Sequence, residues 1–192
     1  RFISEPDKGL YDAMNKGIRV ATGDIIGILN SDDFYIDDKV IGKIVNEFKE
    51  KRVDSVFADL VYVKSNDLQK VVRYYDSSQF LPDKFQYALY PAHPTFFVKK
   101  WVYDQYGLYK TDYKIVADFD IMARFLYTNQ ISFAYLKEPI IKMRMGGAST
   151  SFNSIWINSL EQLRVCKENN IDSNIFKILL KYPIKLLGIL KK

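Results

Sequence analysis

Two adjacent carboxylates, Asp32 and Asp33, sit in the stretch "ILNSDDFY" (residues 28–35), directly after an apolar run. Like charges side by side repel, so water, a helix N-terminus or a metal ion must compensate them. A hard divalent cation takes oxygen ligands, and Mg²⁺ characteristically uses one or two carboxylates plus substrate phosphates. Two readings stay open here: a metal site that clamps a diphosphate, or a strand-to-helix turn with solvated aspartates. His93 is the single histidine and Cys166 the single cysteine. A multi-histidine metal site and an internal disulfide are therefore excluded.

The elements that must position these residues follow from periodicity. "RFIS" reads as the end of a strand, and "GLYDAMNKGIRVATG" as a helix with Leu10, Met14, Ile18 and Ala21 on one face. "DIIGIL" reads as a short buried parallel strand. "NSDD" then lies at its carboxyl end, where ligands bind in open α/β sheets. "DDKVIGKIVNEFKEK" predicts a helix burying Val40, Ile41, Ile44, Val45 and Phe48, capped by Asp37 or Asp38. "SVFADLVYV" and "KVVRYY" predict strands around the turn "KSND". Farther on, "PTFFVKK" predicts a strand entering a helix, "ADFDIMARFLYTN" a helix and "PIIKMRM" a strand. "GGASTS" reads as a glycine-rich loop, and "SIWINSLEQLRVCKENN" as a helix aligning Trp156, Leu160 and Leu163. Alternation of strands and helices implies an α/β layer fold.

The 192 residues, 48% of them hydrophobic, suffice for one packed domain and exclude disorder. The opening "RFISEPDKG" contains no apolar h-region, and no apolar run approaches the roughly 20 residues of a membrane span. The net charge of +5 is concentrated at one end. Residues 174–192 carry Lys177, Lys181, Lys185, Lys191 and Lys192 and no acids, leaving 23 basic against 23 acidic residues elsewhere. This argues against a nucleic-acid surface and for a local basic tail directed at a membrane. Lysines every fourth residue align on one side of a helix, with Ile175, Ile178, Leu179, Tyr182, Leu186 and Ile189 nearby; Pro183 should interrupt that helix.

The ordered segment "SEPDKGLYDAMNKGIRVATGDIIGILNSDDFY", followed by "AHPTFFVKK", "ADFDIMARF" and "MRMGGASTS", resembles family 2 glycosyltransferases of the type that build bacterial capsule, O-antigen and exopolysaccharide chains. The resemblance covers roughly residues 3–152. It implies a GT-A fold: a Rossmann-like mixed sheet flanked by helices. It also implies inverting transfer of sugar from a nucleotide-diphosphate donor to an acceptor hydroxyl, with Mg²⁺ or Mn²⁺ as cofactor. The family's metal motif is often Asp-x-Asp. Here it is Asn30-Ser31-Asp32 followed by Asp33, so Asp32 is the candidate metal ligand and Asp33 a supporting or alternative one. Asn30 departs from the pattern by placing a neutral group at the first acidic position.

By the same resemblance Asp118 in "ADFD" matches the catalytic base that takes the acceptor proton. Helix capping by Asp118 is the competing role, and Asp120 the second choice of base. His93 is expected near the donor and acceptor pocket. Asp7, Gly9 and Asn15 fall where the family shapes the nucleotide-sugar pocket; Asn15 could instead satisfy a buried backbone group. Arg144, Gly146, Gly147 and Ser149 match a segment that closes over the donor, where arginine neutralises diphosphate.

In this family a strand, a donor loop and an "Asp-Gly-x-Ser-x-Asp"-like segment that hold base and ribose normally come first. The expectation is an N-terminally incomplete GT-A domain over 1–152 that begins near the third strand, and a basic helical tail over 153–192. The expected partners are a nucleotide-diphosphate sugar, UDP-linked by base rate, a glycan or lipid-linked acceptor, and a membrane surface met by residues 174–192. The expected location is the cytoplasm, peripheral on the inner face of the plasma membrane. The rival reading is a non-catalytic remnant that binds sugars or a partner enzyme. A Mg²⁺ phosphatase is disfavoured because no nucleophilic aspartate motif is present.

Overall fold

The computed structural model describes residues 2–145 and 152–183. Residues 2–7 are irregular, so the strand expected at "RFIS" is not formed over its described residues. The first helix, α1, spans Leu10–Val20. Its entry depends on Gly9, whose φ of 117° lies in a region open mainly to glycine. Asp7 Oδ1 accepts the Gly9 amide and Asp12 Oδ2 the Lys8 amide, both at 2.9 Å, so two side chains satisfy donors around the helix start. Asn15 and Ile18 are buried, whereas Leu10 is exposed, so the inward stripe is rotated from the expected one.

The next strand corrects the expectation for "DIIGIL". Strand β1 is only Ile25–Ile26 and runs antiparallel to β5 (Phe97–Lys99). A Cβ on Gly27 would lie 2.3 Å from Cε1 of the Phe97 ring, so glycine lets this backbone run close against that side chain. The chain then turns through "NSDD" into β2 (Asp33–Tyr35). Helix α2 (Val40–Lys51) buries Val40, Ile44 and Phe48 and leaves Ile41 exposed. Lys39 occupies its N-cap position and no side chain caps it; Asp37 instead accepts the Lys39 amide.

Strand β3 (Ser55–Lys64) is the sheet's central member. It pairs antiparallel with β4 (Asp67–Tyr75) and β5, and parallel with β6 (Phe133–Arg144). The order β1-β5-β3-β6-β2, with β4 also on β3, makes a mixed sheet. Alternation along β3 divides the core: Phe57 joins Phe85, Phe119 and Phe125 in one cluster, while Val56, Ala58 and Leu60 join α2's Val40, Ile44 and Phe48 in another.

Helix α3 (Lys100–Tyr106) follows β5 directly. Helix α4 (Ala117–Met122) continues into a π-helical stretch, Ala123–Thr128. Helix α5 (Phe152–Glu168) and α6 (Ile175–Leu179) complete the described chain. Val165, Cys166, Ile171 and Ile178 belong to the same cluster as Phe119, so the core does not end at the boundary expected near residue 152. On α5 the expected stripe is turned outward: Trp156 and Leu160 are exposed, while Val165 and Cys166 are buried.

The tail differs from the expected basic face. Lys177 pairs with Asp172 at 2.9 Å. Lys181 is buried, reaching Asn158 at 3.0 Å and Gln162 on α5. Helix α6 ends at Leu179 and helical geometry resumes over 181–183, so the break falls at Leu180 and Pro183, expected to interrupt the helix, lies within a helical turn. Burial of the apolar face wins over solvation of the lysines: Ile178 is fully enclosed and carries the neighbouring residues inward. Lys185, Leu186, Ile189, Lys191 and Lys192 lie outside the described residues.

Candidate active site

The first carboxylate group is built where β2 meets β6. Asp33 pairs with Met143, and Tyr62 of β3 pairs with the same Met143 from the other side. Asp32 is exposed on the preceding turn, whereas Asp33 is 6% exposed. Asn30 Nδ2 donates to Asp33 Oδ2 at 3.0 Å, and Asp33 Oδ1 is buried without a partner among the described residues. Burial pushes the Asp33 carboxyl above its ordinary value; the Asn30 hydrogen bond opposes this and the Asp32 charge adds to it. Asn30 thus orients Asp33. Arg144 follows Met143 at the end of β6 and pairs with Val63, so it shares this corner of the sheet. Gly146, Gly147 and Ser149 lie outside the described residues.

The second group surrounds Asp118, half-buried in the first turn of α4. Val116 is the N-cap and no side-chain cap bond is present, so Asp118 is not that cap. Its Oδ1 accepts the Phe119 amide at 2.8 Å, and the Tyr90 hydroxyl lies 3.5 Å from Oδ2. Burial raises the Asp118 carboxyl, opposed chiefly by His93 and the Phe119 amide. His93 Nε2 lies 2.7 Å from the Tyr109 hydroxyl. Burial lowers the His93 pKa from 6.5, against the pull of Asp118, which keeps the ring neutral at neutral pH.

Tyrosines join the two groups. The Tyr75 hydroxyl donates to the Tyr90 carbonyl at 2.8 Å. Tyr11 stacks on Tyr109 with ring centroids 5.9 Å apart and donates to the Ile115 carbonyl. Burial, with Asp118 as the next cause, pushes the Tyr90 hydroxyl well above its ordinary range. Tyr62 is raised by burial and feels Asp33, with Arg73 over its ring opposing. These phenols stay protonated and serve as hydrogen-bond donors along the wall.

Four residues weighed for the site have clear placements. Asn15 spends both ends of its carboxamide on Tyr109, accepting its amide at 2.9 Å and donating to its carbonyl at 2.8 Å. It acts on the site by fixing Tyr109, the backbone-satisfying role that the sequence left open. Asp7 and Gly9 shape the α1 entry. Asp120, the second choice of base, is fully buried between Lys110 and Arg124, each at 2.9 Å. Arg124 also donates to the carbonyls of Tyr106 and Leu108 at 2.6 Å, so Asp120 anchors the loop that presents Tyr109. Sequence reasoning did not place Tyr11, Tyr62, Tyr75 and Tyr109 at the site. The available signal was their number, 14 tyrosines in 192 residues.

The curled mixed sheet, flanked by helices, defines a GT-A fold. The same arrangement occurs in S. aureus TarS 1-349 in complex with UDP-GlcNAc, at 12% identity and a TM-score of 0.60, covering 90% of this chain and 50% of that one. The profile of Glycosyl transferase family 2 matches residues 1–111, and the chain belongs to that family. A PGL/p-HBAD biosynthesis glycosyltransferase of Mycobacterium tuberculosis is 25% identical over 121 residues, 62% of this chain and 44% of that protein. An uncharacterized glycosyltransferase of M. tuberculosis is 44% identical over 48 residues, 25% of this chain and 18% of its own length. The chain thus spans under half the length of these curated relatives. Among the described residues, no helix is long and apolar enough to cross a membrane.

Proposed function

We propose that this domain transfers a sugar from a nucleotide-diphosphate donor to an acceptor hydroxyl with inversion, in the assembly of bacterial surface polysaccharide. The observation that carries this reading is the isolation of Asp118. It stands among Tyr11, Tyr90, His93 and Tyr109 without an ion pair among the described residues, while Asp120 two residues on is fully engaged. A base must keep a lone pair available, and burial raises its proton affinity toward the working pH. In the proposed step the acceptor oxygen bonds to C1 of the sugar as the C1–O bond to the diphosphate breaks. The acceptor proton passes to Asp118, and the electron pair leaves with the nucleoside diphosphate. Neutral His93 and the phenols shape the acceptor side and exclude water.

The donor end falls to Asp32, Asp33 and Arg144. The residues fit a divalent cation in one specific respect: Asp33 Oδ1 is a buried carboxylate oxygen lacking a partner among the described residues. Among the described residues no cluster of three or more histidines, cysteines or acids is present. A Mg²⁺ or Mn²⁺ ion would therefore draw its other ligands from donor phosphates and water, a pattern typical of Mg²⁺. Bound there, it would neutralise charge on the leaving diphosphate. UDP-sugar donors are supported by the fold likeness to a protein crystallised with UDP-GlcNAc and with UDP.

Because Lys177 and Lys181 are engaged within the fold, a lipid surface as partner is proposed only for residues beyond Pro183. Co-sedimentation with anionic vesicles should survive Lys177→Ala and fall on removal of residues 184–192. The main reading is tested by nucleotide-sugar turnover across a donor panel with Mn²⁺ or EDTA. Release of nucleoside diphosphate that needs both Asp118 and acceptor supports it. Binding of donor without any turnover under those conditions overturns it.

A further inference from the structure

A second concavity lies away from both carboxylate groups. It has a volume of about 650 Å³ and forms between the end of the π-helical stretch, the start of β6 and the end of α5. That volume is within the roughly 300–1,000 Å³ typical of small-ligand sites. Its place in the fold separates it from the site above. Phe133 opens β6, ten residues before Met143, so the cavity is about 30 Å along that strand from Asp33. Asp118 and Thr128 lie at opposite ends of one continuous helix, about 15 Å apart along its axis.

The chemistry of the wall is selective. None of its nine lining residues is an aspartate, glutamate, lysine, arginine or histidine, in a chain with 27% charged residues. Buried Leu126 and Ile131 form an apolar base, and half-buried Tyr127 and Phe133 supply aromatic surface. Gln130 and Asn170 add exposed carboxamides at the rim. Asn169 is buried and fixed, accepting from Thr128 Oγ1 at 2.9 Å and donating to the Val165 carbonyl at 3.0 Å. A carboxamide both donates and accepts, as a sugar hydroxyl does. Aromatic faces match the C–H faces of pyranose rings, and the lack of charge disfavours phosphates, acidic peptides and lipid head groups.

Two backbone features point to the same place. Gln130 and Asn170 both adopt left-handed conformations, with φ of 48° and 55°, which turns each chain at the rim. The adjoining π-helical stretch is a rare geometry that occurs frequently at functional sites. Each of the two residues follows the end of a helix, where a left-handed residue is the ordinary way to stop it.

We propose that this cavity is a second, non-catalytic binding site for a neutral oligosaccharide. It would hold a stretch of glycan apart from the reacting end. The proposal concerns binding alone and does not need turnover at Asp118.

The test is ligand-detected NMR and calorimetry with neutral hexasaccharides, namely maltohexaose, cellohexaose and isomaltohexaose, with an oligogalacturonate as the charged comparison. At least one neutral oligosaccharide should bind at millimolar concentration, and more tightly than the charged one. Tyr127→Ala should weaken that binding at least about tenfold. The double variant Gln130→Gly and Asn170→Gly should do the same with the melting temperature held or raised, because glycine tolerates both backbone positions. Asp118→Asn should leave the binding unchanged. The proposal is overturned by absence of binding to all three neutral probes, by binding that the glycine double variant leaves intact, or by binding that Asp118→Asn abolishes.

Discussion

Asp118 and Asp120 share the first turn of α4 and meet opposite surroundings. Asp120 is fully buried between Lys110 and Arg124, each at 2.9 Å, whereas Asp118 faces the Tyr90 hydroxyl at 3.5 Å. One carboxylate is neutralised by two cations. The other is held with its charge opposed by burial. The same turn therefore separates an acid held by two cations from one with no ion pair among the described residues.

The first prediction follows from that contrast. Asp118→Asn should lower turnover by about 10²–10⁴-fold while leaving donor affinity almost unchanged. It should also raise the melting temperature at neutral pH. The sign is set by linkage: Asp118 has its folded pKa raised above 3.8, so the folded state binds its proton more tightly than the unfolded state. Its contribution is fully present below about pH 3.8 and is lost as pH rises through the raised value. Asparagine avoids the cost of burying the charge, so the two proteins should converge in stability at acid pH. Thermal melts at pH 7 and near pH 3.5, beside kinetics, check both halves. A helix-capping role would instead cost about 1 kcal/mol on substitution with turnover intact.

Asp120→Ala should behave in the opposite way. It strands Arg124 and Lys110 beside a buried cavity, and breaking a buried pair typically costs about 3–5 kcal/mol. Denaturant unfolding should show a loss near the lower figure, since Lys110 keeps Glu168 at 2.7 Å and remains partly solvated. Turnover per folded molecule should fall less than in Asp118→Asn. A larger kinetic than stability effect would move the base to Asp120.

The legible part of this protein was local. "NSDD", "AHPTFF" and "ADFDIMARF" each carry their residue types within a few positions, and the helices α1, α2 and α5 follow from apolar periodicity. What was not legible depends on pairing and rotation. An apolar run such as "DIIGIL" reports burial but not its partner, and only the close crossing of Gly27 over Phe97 reveals the antiparallel β1–β5 contact. Lysines four apart align on a helix whether that side faces water or α5. Lys181 turns inward because Ile178 is enclosed and Asn158 and Gln162 lie within reach. Tyr11, Tyr62, Tyr75, Tyr90 and Tyr109 converge from distant segments, so their cluster has no sequence period to find.

Glu168 gives a pH prediction away from the site. Burial pushes its carboxyl up, but hydrogen bonds from Lys110, Tyr113 and Arg164 outweigh this and hold it at about 2, against an ordinary 4.5. A lowered folded pKa contributes stability above the unfolded value, and that contribution is lost as pH falls through the folded one. Glu168→Gln should therefore destabilise at pH 7 by roughly 1–2 kcal/mol, discounted because the group is partly solvated. The difference from the unsubstituted protein should shrink from about pH 4.5 toward pH 2. Melts across that window check the prediction, and a gap that stays constant with pH would refute the ionic origin.

The last prediction separates the adjacent carboxylates. Asp32 is exposed and Asp33 is buried, with Oδ1 unpartnered among the described residues and Oδ2 held by Asn30 at 3.0 Å. A divalent cation binds the ionised form, so it competes with the proton that burial favours on Asp33. Affinity for a nucleoside diphosphate with Mn²⁺ should therefore fall as pH drops through the raised Asp33 pKa. Calorimetry in buffers of different ionisation heat should detect proton release there. Asp33→Asn should remove that proton release, weaken metal-dependent binding about 10–100-fold, and stabilise the protein near neutral pH by relieving the buried charge. Asp32→Asn should make affinities in Mn²⁺ and in EDTA converge with little change in stability, because Asp32 is already solvated. Equal affinity in Mn²⁺ and EDTA for the unsubstituted protein would remove the metal from both residues. The pair would then be a solvated turn beside a strand held in place by Asn30.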